Sequence, residues 1–367
     1  LLLGYFGFQN LGDELLWRTF LKEAQELRPD IRWKLLNRDT SISGIDVPHV
    51  ETVSRSDFFE TLETLANSKA IVVPGGSVLQ SATSSKSLIY YLFYIFLGKI
   101  LGARVLLPGQ GLGPWESGLN ASSSSENRNF FYPSGILVIL TRIVLDFSDY
   151  LSVRDSIAAD TLKALPPPPL IAPITADLVF LNAKPSNLGF SKVNEKRTIG
   201  VILRASVPGS EKIAEQFCLW EKKNAQMYSL IPIAFQPQED EIIWNSNSGG
   251  VAPIKMFEKT QDVFRELSCL DVLVSMRFHG CVLATILGIP WIGLSNDPKT
   301  SGFAKDINWK FLINPLQFEI DIFFEMLQEQ FQNYSFLVDG LTLAYEEKHK
   351  KARADINSCL KKISENN

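Results

Sequence analysis

The chain has 367 residues, 46% apolar and 21% charged, a balance that builds a packed core and excludes a largely disordered, collagen-like or low-complexity protein. Its 36 basic and 40 acidic side chains leave a net charge of −4, so no global field draws it to nucleic acid or an anionic bilayer, and an anion must be met locally. Four scattered cysteines without a C-x-x-C pair and three histidines exclude a disulfide scaffold and a zinc finger, and suit a reduced, cytoplasmic protein.

The opening LLLGYFGF reads as a short strand that ends in glycines and leads into a helix, QNLGDELLWRTFLKEA. With no basic n-region and no small-residue cleavage site, it does not read as a signal peptide. Residues 70–77 (AIVVPGGS) give the next strand and turn, followed by an apolar helix. The apolar run 88–97 in that helix is about half of the ~20 residues needed to span a bilayer, so it reads as a buried helix or one in peripheral membrane contact. Residues 103–114 (ARVLLPGQGLGP) form a third strand and turn, and 116–135, rich in Ser, Asn and Gly, reads as a mobile surface loop. A fourth strand at 149–153 runs into Arg154 and the helical DSIAADTLKAL.

The run LPPPPL at 165–170 cannot be helical, because each proline fixes φ and lacks an N–H, and it marks a hinge. Beyond it the strand rhythm returns at 197–204, 228–235, 271–280 and 289–295, with a helix at 281–287 completing a βαβ unit. The charged tail reads as a solvated capping helix. These patterns predict an α/β protein of two Rossmann-like domains, 1–170 and 171–342, facing a cleft, with a helical tail at 343–367. Ligand residues should then lie just after strands, at their carboxyl ends.

Several residues meet that condition. Asn10, Asp13 and Glu14 stand at the first strand-to-helix turn, where they can cap the helix or bind sugar hydroxyls. Gly75, Gly76 and Ser77 of PGGS and Gln110 of PGQGLGP belong to two more turns that uncover backbone amides. Three such loops on one sheet edge fit a bound ligand better than turn chemistry alone. Arg154 follows an apolar strand; its planar fork suits a carboxylate or phosphate, the alternative being a surface pair with Asp155. In SMRFHG, Arg277 offers an anion clamp, His279 a group that titrates near neutral pH and Gly280 an open backbone. Lys299 closes the next strand, and Cys281 reads as packing. The chain has no D-x-D, P-loop or H-E-x-x-H motif, so no metal site and no cofactor are expected.

Taken together, GYFGFQNLGDE, PGGSVLQSATSSKSLIYY, GQGLGP, LSVRDS with ITADLVF, AFQPQED, SMRFHG and GLSNDPK resemble the polysaccharide pyruvyl transferases, especially the bacterial cell-wall type. The resemblance implies a glycosyltransferase-B-like fold, with the first domain on the acceptor side and the second on the donor side. It implies phosphoenolpyruvate as donor and a sugar acceptor, lipid-linked in that family, at the inner face of the membrane. By motif, Arg154 and Arg277 become donor-anion ligands, Lys299 a donor or phosphate contact and His279 the general acid or base. Two further readings stand beside this one: a metal-independent glycosyltransferase with a nucleotide-sugar donor, and a non-catalytic sugar- or lipid-anchor-binding protein on the same fold.

Overall fold

Short apolar runs separated by glycine turns and amphipathic stretches fold into parallel sheets, whose strands are apolar on both faces because helices cover both. The computed structural model describes residues 1–38, 50–81, 84–113, 135–182, 184, 196–245, 260–295 and 297–365. They divide into two units: Leu1–Phe8, Asp13–Leu181 and Lys348–Asn367 form the first, Gln9–Gly12 and Asn182–Glu347 the second.

In the first unit the strands are β1 (Trp33–Asn37), β2 (Val50–Ser54), β3 (Ala70–Val72), β4 (Arg104–Gln110) and β5 (Tyr150–Val153). All pairings are parallel. Leu2 bridges Leu35 of β1 on one side and Val72 of β3 on the other, which makes one sheet in the order β2, β1, residues 1–3, β3, β4, β5. The chain starts in the middle, travels outward, and returns to the opposite side of its first strand. Its helices are α1 (Leu11–Leu27), whose first residues group with the second unit, then α2 (Phe58–Ala66), α3 (Ser85–Ile100), α4 (Ile136–Asp146) and α5 (Ser156–Lys163).

The second unit repeats the plan with β6 (Arg197–Ile202), β7 (Tyr228–Pro232), β8 (Val272–Ser275), β9 (Trp291–Leu294) and β10 (Leu312–Ile313), ordered β10-β9-β8-β6-β7. Here the order reverses between β6 and β8. Its helices are α6 (Ser210–Asn224), α7 (Pro237–Asn245), α8 (Thr260–Leu267), α9 (Phe278–Leu287), α10 (Pro298–Asp306) and α11 (Ile320–Gln332). The long α12 (Tyr334–Ser364) starts in the second unit and ends in the first.

Several expectations change. The division falls after Leu181 instead of at 170, and the proline run lies inside the first unit. The C-terminal tail is no solvated cap: Ala352, Ile356, Cys359 and Leu360 are buried. The 88–97 helix is buried on one face, through Leu88, Tyr91, Leu92, Tyr94 and Ile95. It exposes Ile89, Phe93, Phe96 and Ile100 on the other, and the neighbouring α4 exposes Ile136, Ile139, Leu140 and Ile143. Among the described residues no helix is long and apolar enough to cross a membrane. The expected loop at 116–135 lies outside the described residues except for Gly135.

On α12, Asp355 is buried and accepts hydrogen bonds from Tyr150 Oη at 2.5 Å and Thr175 Oγ1 at 3.2 Å. Ser152, beside them, accepts from the Gly109 amide at 2.7 Å, so the network underlies the third glycine turn. Burial raises the Asp355 carboxyl above its usual range, against the opposing pull of these hydrogen bonds. A raised value means that the stability tied to this group is full when it is protonated and falls as pH rises through the folded-state value. Asp355→Asn should therefore flatten the part of the stability–pH curve that lies above the ordinary aspartate range. Denaturant melts from about pH 4 to about pH 8 would show it; an unchanged slope would contradict the assignment.

Candidate active site

In an open α/β sheet, ligands bind beyond the carboxyl ends of the strands, where the strand order reverses. In the second unit this point is the end of β6 beside the end of β8. The turn from β8 into α9 is pinned by Ser275, whose Oγ accepts from the Arg277 amide at 3.0 Å and donates to the Arg277 carbonyl at 2.8 Å. Arg277 Nε and Nη2 donate to the two carboxylate oxygens of Asp240 at 2.9 and 2.6 Å, and Nη2 lies 3.4 Å from Glu239. Asp240 is fully buried and also accepts from the Phe235 and Gln236 amides, each at 2.9 Å. Four donors on one carboxylate offset the cost of taking its charge out of water.

His279 follows at the second position of α9, edge-on to Phe278 with ring centroids 5.2 Å apart. Its ring packs on the backbone of Gly12, where an added Cβ would lie 2.0 Å from His279 Nδ1. The segment that carries Gly12 is fastened in turn. Leu11 donates its amide to the Phe235 carbonyl at 2.9 Å, and Asn10 Oδ1 caps the helix by accepting from the Gly12 amide at 3.2 Å. Arg204, just past β6, donates its amide to Met276 Sδ at 3.3 Å. Its buried Nε has no hydrogen-bond partner among the described residues.

Gly280 does not present an open backbone. Its amide donates to the Arg277 carbonyl, and a Cβ there would lie 2.2 Å from Ser275 Oγ, so it lets α9 pack closely on β8. Lys299 is the second residue of α10, and its amide is capped by Asp297 at 3.0 Å. Burial raises the Cys281 thiol, which fits a packing role.

In the first unit the strand order reverses between residues 1–3 and β3, beside the PGGS turn. Gly75 and Gly76 have φ of +72° and +76°, a conformation that only glycine adopts without strain. Gly75 donates to Val73 and Pro108, and Gly76 accepts from the Gly111 amide. The first turn is drawn shut by Glu14, whose carboxylate accepts from the Gly7 amide and from Trp17 Nε1, both at 2.7 Å. Asp13 Oδ1 lies 3.7 Å from where a Cβ on Gly76 would be. Gly111 is flanked by Ser77 Oγ and the Arg154 guanidinium, either of which a side chain at 111 would strike.

Two expected ligands of this unit are interior braces. Gln110 is fully buried, and its Nε2 donates to the Val73 and Pro108 carbonyls at 2.7 and 3.0 Å. Arg154 is also buried, with Nε 3.0 Å from Asp155 and Nη1 3.3 Å from Asp177. The pair with Asp155 lies in the interior instead of at the surface, and a second carboxylate arrives from a turn 23 residues downstream. Asp177 and Asp240 lie in ITADLVF and AFQPQED; an acid in an otherwise apolar or turn-like motif is the signal that marks them. Gly12 and Arg204 carried a weaker one, position alone.

Two parallel doubly wound units, each with its polar residues at the reversal of strand order, define a protein of the glycosyltransferase-B fold. Among solved structures, the chain is similar to UDP-GlcNAc 2-epimerase from Neisseria meningitidis (13% identity, 97% of this chain and 98% of that chain, TM-score 0.58). It is also similar to a putative UDP-N-acetylglucosamine 2-epimerase from Listeria monocytogenes (13%, 95% and 92%, TM-score 0.60) and to MurG from Acinetobacter baumannii (8%, 98% and 98%, TM-score 0.51). At these identities the likeness is one of fold. A search of curated proteins finds no match. The family model for polysaccharide pyruvyl transferase matches residues 10–298, and the chain belongs to that family.

The pair at Arg277 and the contact at Gly12 can be tested separately. Asp240→Ala leaves a buried guanidinium with only the more exposed Glu239 carboxylate, 3.4 Å away, and should cost about 3–5 kcal/mol of stability, read from chemical denaturation. Gly12→Ala should displace the His279 ring and lower turnover by about 10–100-fold with the circular dichroism unchanged, since misplacement near 1 Å costs that much. Full activity in a folded Gly12→Ala protein would show that the ring position is immaterial.

Proposed function

We propose that the chain transfers the pyruvyl group of phosphoenolpyruvate to two hydroxyls of a sugar in a cell-surface polysaccharide precursor, giving a pyruvate ketal and inorganic phosphate. Phosphoenolpyruvate is a substrate in this scheme, and no cofactor is used. Family membership supports pyruvyl transfer as such. The donor and the assignment of residues are our reading, carried by one observation: Arg277, His279 and Arg204 share the β6–β8 reversal of the second unit.

The chemistry sets the requirements. The methylene carbon takes a proton, one sugar hydroxyl adds to the oxocarbenium-like carbon, phosphate leaves with its bonding pair, and the second hydroxyl closes the ketal. Of the two hydroxyl protons, one replaces the proton spent on the methylene and the other leaves on phosphate. A single imidazole can deliver and recover these protons, and His279 is the group we assign. The donor's carboxylate and phosphate need cationic or N–H contacts. We assign them to Arg204, Lys299 and the first amides of α9, where the helix dipole favours an anion. Arg277, already compensated by Asp240 and Glu239, is a positioning residue that fixes the turn before His279. A lipid-linked acceptor at the inner face of the cytoplasmic membrane fits the exposed apolar stripes of α3 and α4.

His279→Ala should abolish phosphate release from phosphoenolpyruvate in the presence of acceptor. Arg204→Met should reduce kcat/KM for phosphoenolpyruvate by about 10–100-fold, the worth of one charge-assisted contact. Wild-type phosphate release by His279→Ala would remove the proton assignment. Thermal stabilisation by nucleotide sugars and not by phosphoenolpyruvate would replace the reading with glycosyl transfer.

A further inference from the structure

The first unit carries a second polar cluster, where the first glycine turn meets the ends of β1 and β2, centred on residues given no role above. Arg38 is the first residue after β1 and Arg55 the first after β2, so both stand at the carboxyl edge of the sheet, where ligands bind. The Arg38 guanidinium carbon lies 5.0 Å from the centroid of the Phe8 ring and that of Arg55 4.8 Å from the same centroid. Arg55 also lies 4.4 Å from the centroid of Tyr90. Phe8 is held in place by Tyr5, stacked on it at 4.0 Å, and by the turn that Glu14 closes.

Three features separate this cluster from ordinary cation–π packing. Neither arginine has a carboxylate partner among the described residues, in contrast to Arg154 and Arg277. Two like charges drawn to one ring repel, a cost that an anion between them would reverse. Next, Arg55 Nη1 is buried without a hydrogen-bond partner among the described residues. Finally, the hydroxyls of Tyr90 and Tyr91 are buried beside Arg55, the one side chain that approaches them for a hydrogen bond, and neither makes a well-formed hydrogen bond to a described residue, Tyr91 being only 1% exposed. Buried donors left open in this way are costly unless a ligand fills them. Burial raises both phenols, so they stay protonated and can donate. The carboxylate that reaches this cluster is Asp13, whose charge acts on Tyr91.

We propose that Arg38, Arg55, Tyr90 and Tyr91 form an anion site for the phosphate of a glycosyl phosphate acceptor, with the sugar lying toward Asp13. The inference rests on the acceptor-side reading of the first unit. The chemistry favours a phosphate ester over a carboxylate: two planar forks drawn to one ring, with two phenol donors beside one of them, suit a group with three terminal oxygens. Asp13, whose charge reaches the cluster, accepts from sugar hydroxyls.

The test is calorimetric titration of the full chain, without phosphoenolpyruvate or turnover, so that it succeeds or fails independently of the donor assignment. The probes are glucose 1-phosphate, inorganic phosphate and phosphoenolpyruvate. We expect glucose 1-phosphate to bind the wild-type chain more tightly than inorganic phosphate. Its affinity should fall at least ~10-fold in Arg55→Met and further in the Arg38→Met/Arg55→Met double variant, with phosphoenolpyruvate affinity changed less than ~2-fold. Tyr91→Phe, which removes one hydroxyl without changing the core shape, should weaken glucose 1-phosphate several-fold at an unchanged melting temperature. Unchanged affinity in the double variant, or no binding by the wild-type chain, would overturn the proposal. Displacement of glucose 1-phosphate by phosphoenolpyruvate would make the cluster a donor site, and equal affinity for inorganic phosphate would make it a product site; either result also overturns it.

Discussion

The buried carboxylate of Asp240 is the constraint on which the second unit's site depends. It is the first acidic side chain of α7 to face inward, and it collects two amides from the β7–α7 turn and two guanidinium N–H groups from the β8–α9 turn. Two turns from different strands are thereby held at one point. Because Arg277 immediately precedes α9, fixing its side chain fixes where the helix starts, and with it the direction of His279. The ring has little freedom left, since Gly12 meets it on the other side at a distance that no larger residue allows. Rigidity of this kind suits the proton-transfer role proposed for His279, because small errors in position carry large rate costs.

The first unit solves the same problem with the same chemistry. Arg154 is neutralised by Asp155 and Asp177, and Asp155 at the same time caps α5 through the Ala158 amide at 2.7 Å. One acid therefore serves a helix terminus and an ion pair together. Gln110, with no charge, ties the ends of β3 and β4 through two carbonyls. In both units buried polar side chains hold loops in place.

The alternation of apolar runs and glycine turns made the two parallel sheets legible, together with the strand ends that bear Arg154, Arg277 and His279. It did not reveal β1 and β2. Each is five residues long and has partly exposed positions, so neither forms the continuous apolar run that marks a buried strand. With those strands unseen, Arg38 and Arg55 had no strand end to follow. The tail was misjudged for a related reason: its charges follow helical spacing on one side, and the small or buried positions Ala352, Asp355, Ile356 and Cys359 on the other do not form an obvious apolar stripe. The division after Leu181 was hidden because a proline run is visible in sequence, whereas the return of α12 to the first unit is a property of contacts.

Pairing was the least legible property, and it matters most for function. All of the arginines discussed here sit just past a strand, so position alone treats them alike, and the near balance of 36 and 40 charges conceals any difference. The structure separates them by their carboxylates. Arg154 and Arg277 are locked by acids 23 and 37 residues away in sequence, and binding a substrate anion there would have to displace or share an existing buried partner, at the expense of a pair that is strongly destabilising to break. Arg38, Arg55 and Arg204 carry no such partner among the described residues, so an anion adds an interaction without removing one. On that ground the arginine that stands out most in a motif is the better scaffold, and the arginine without a carboxylate is the better ligand.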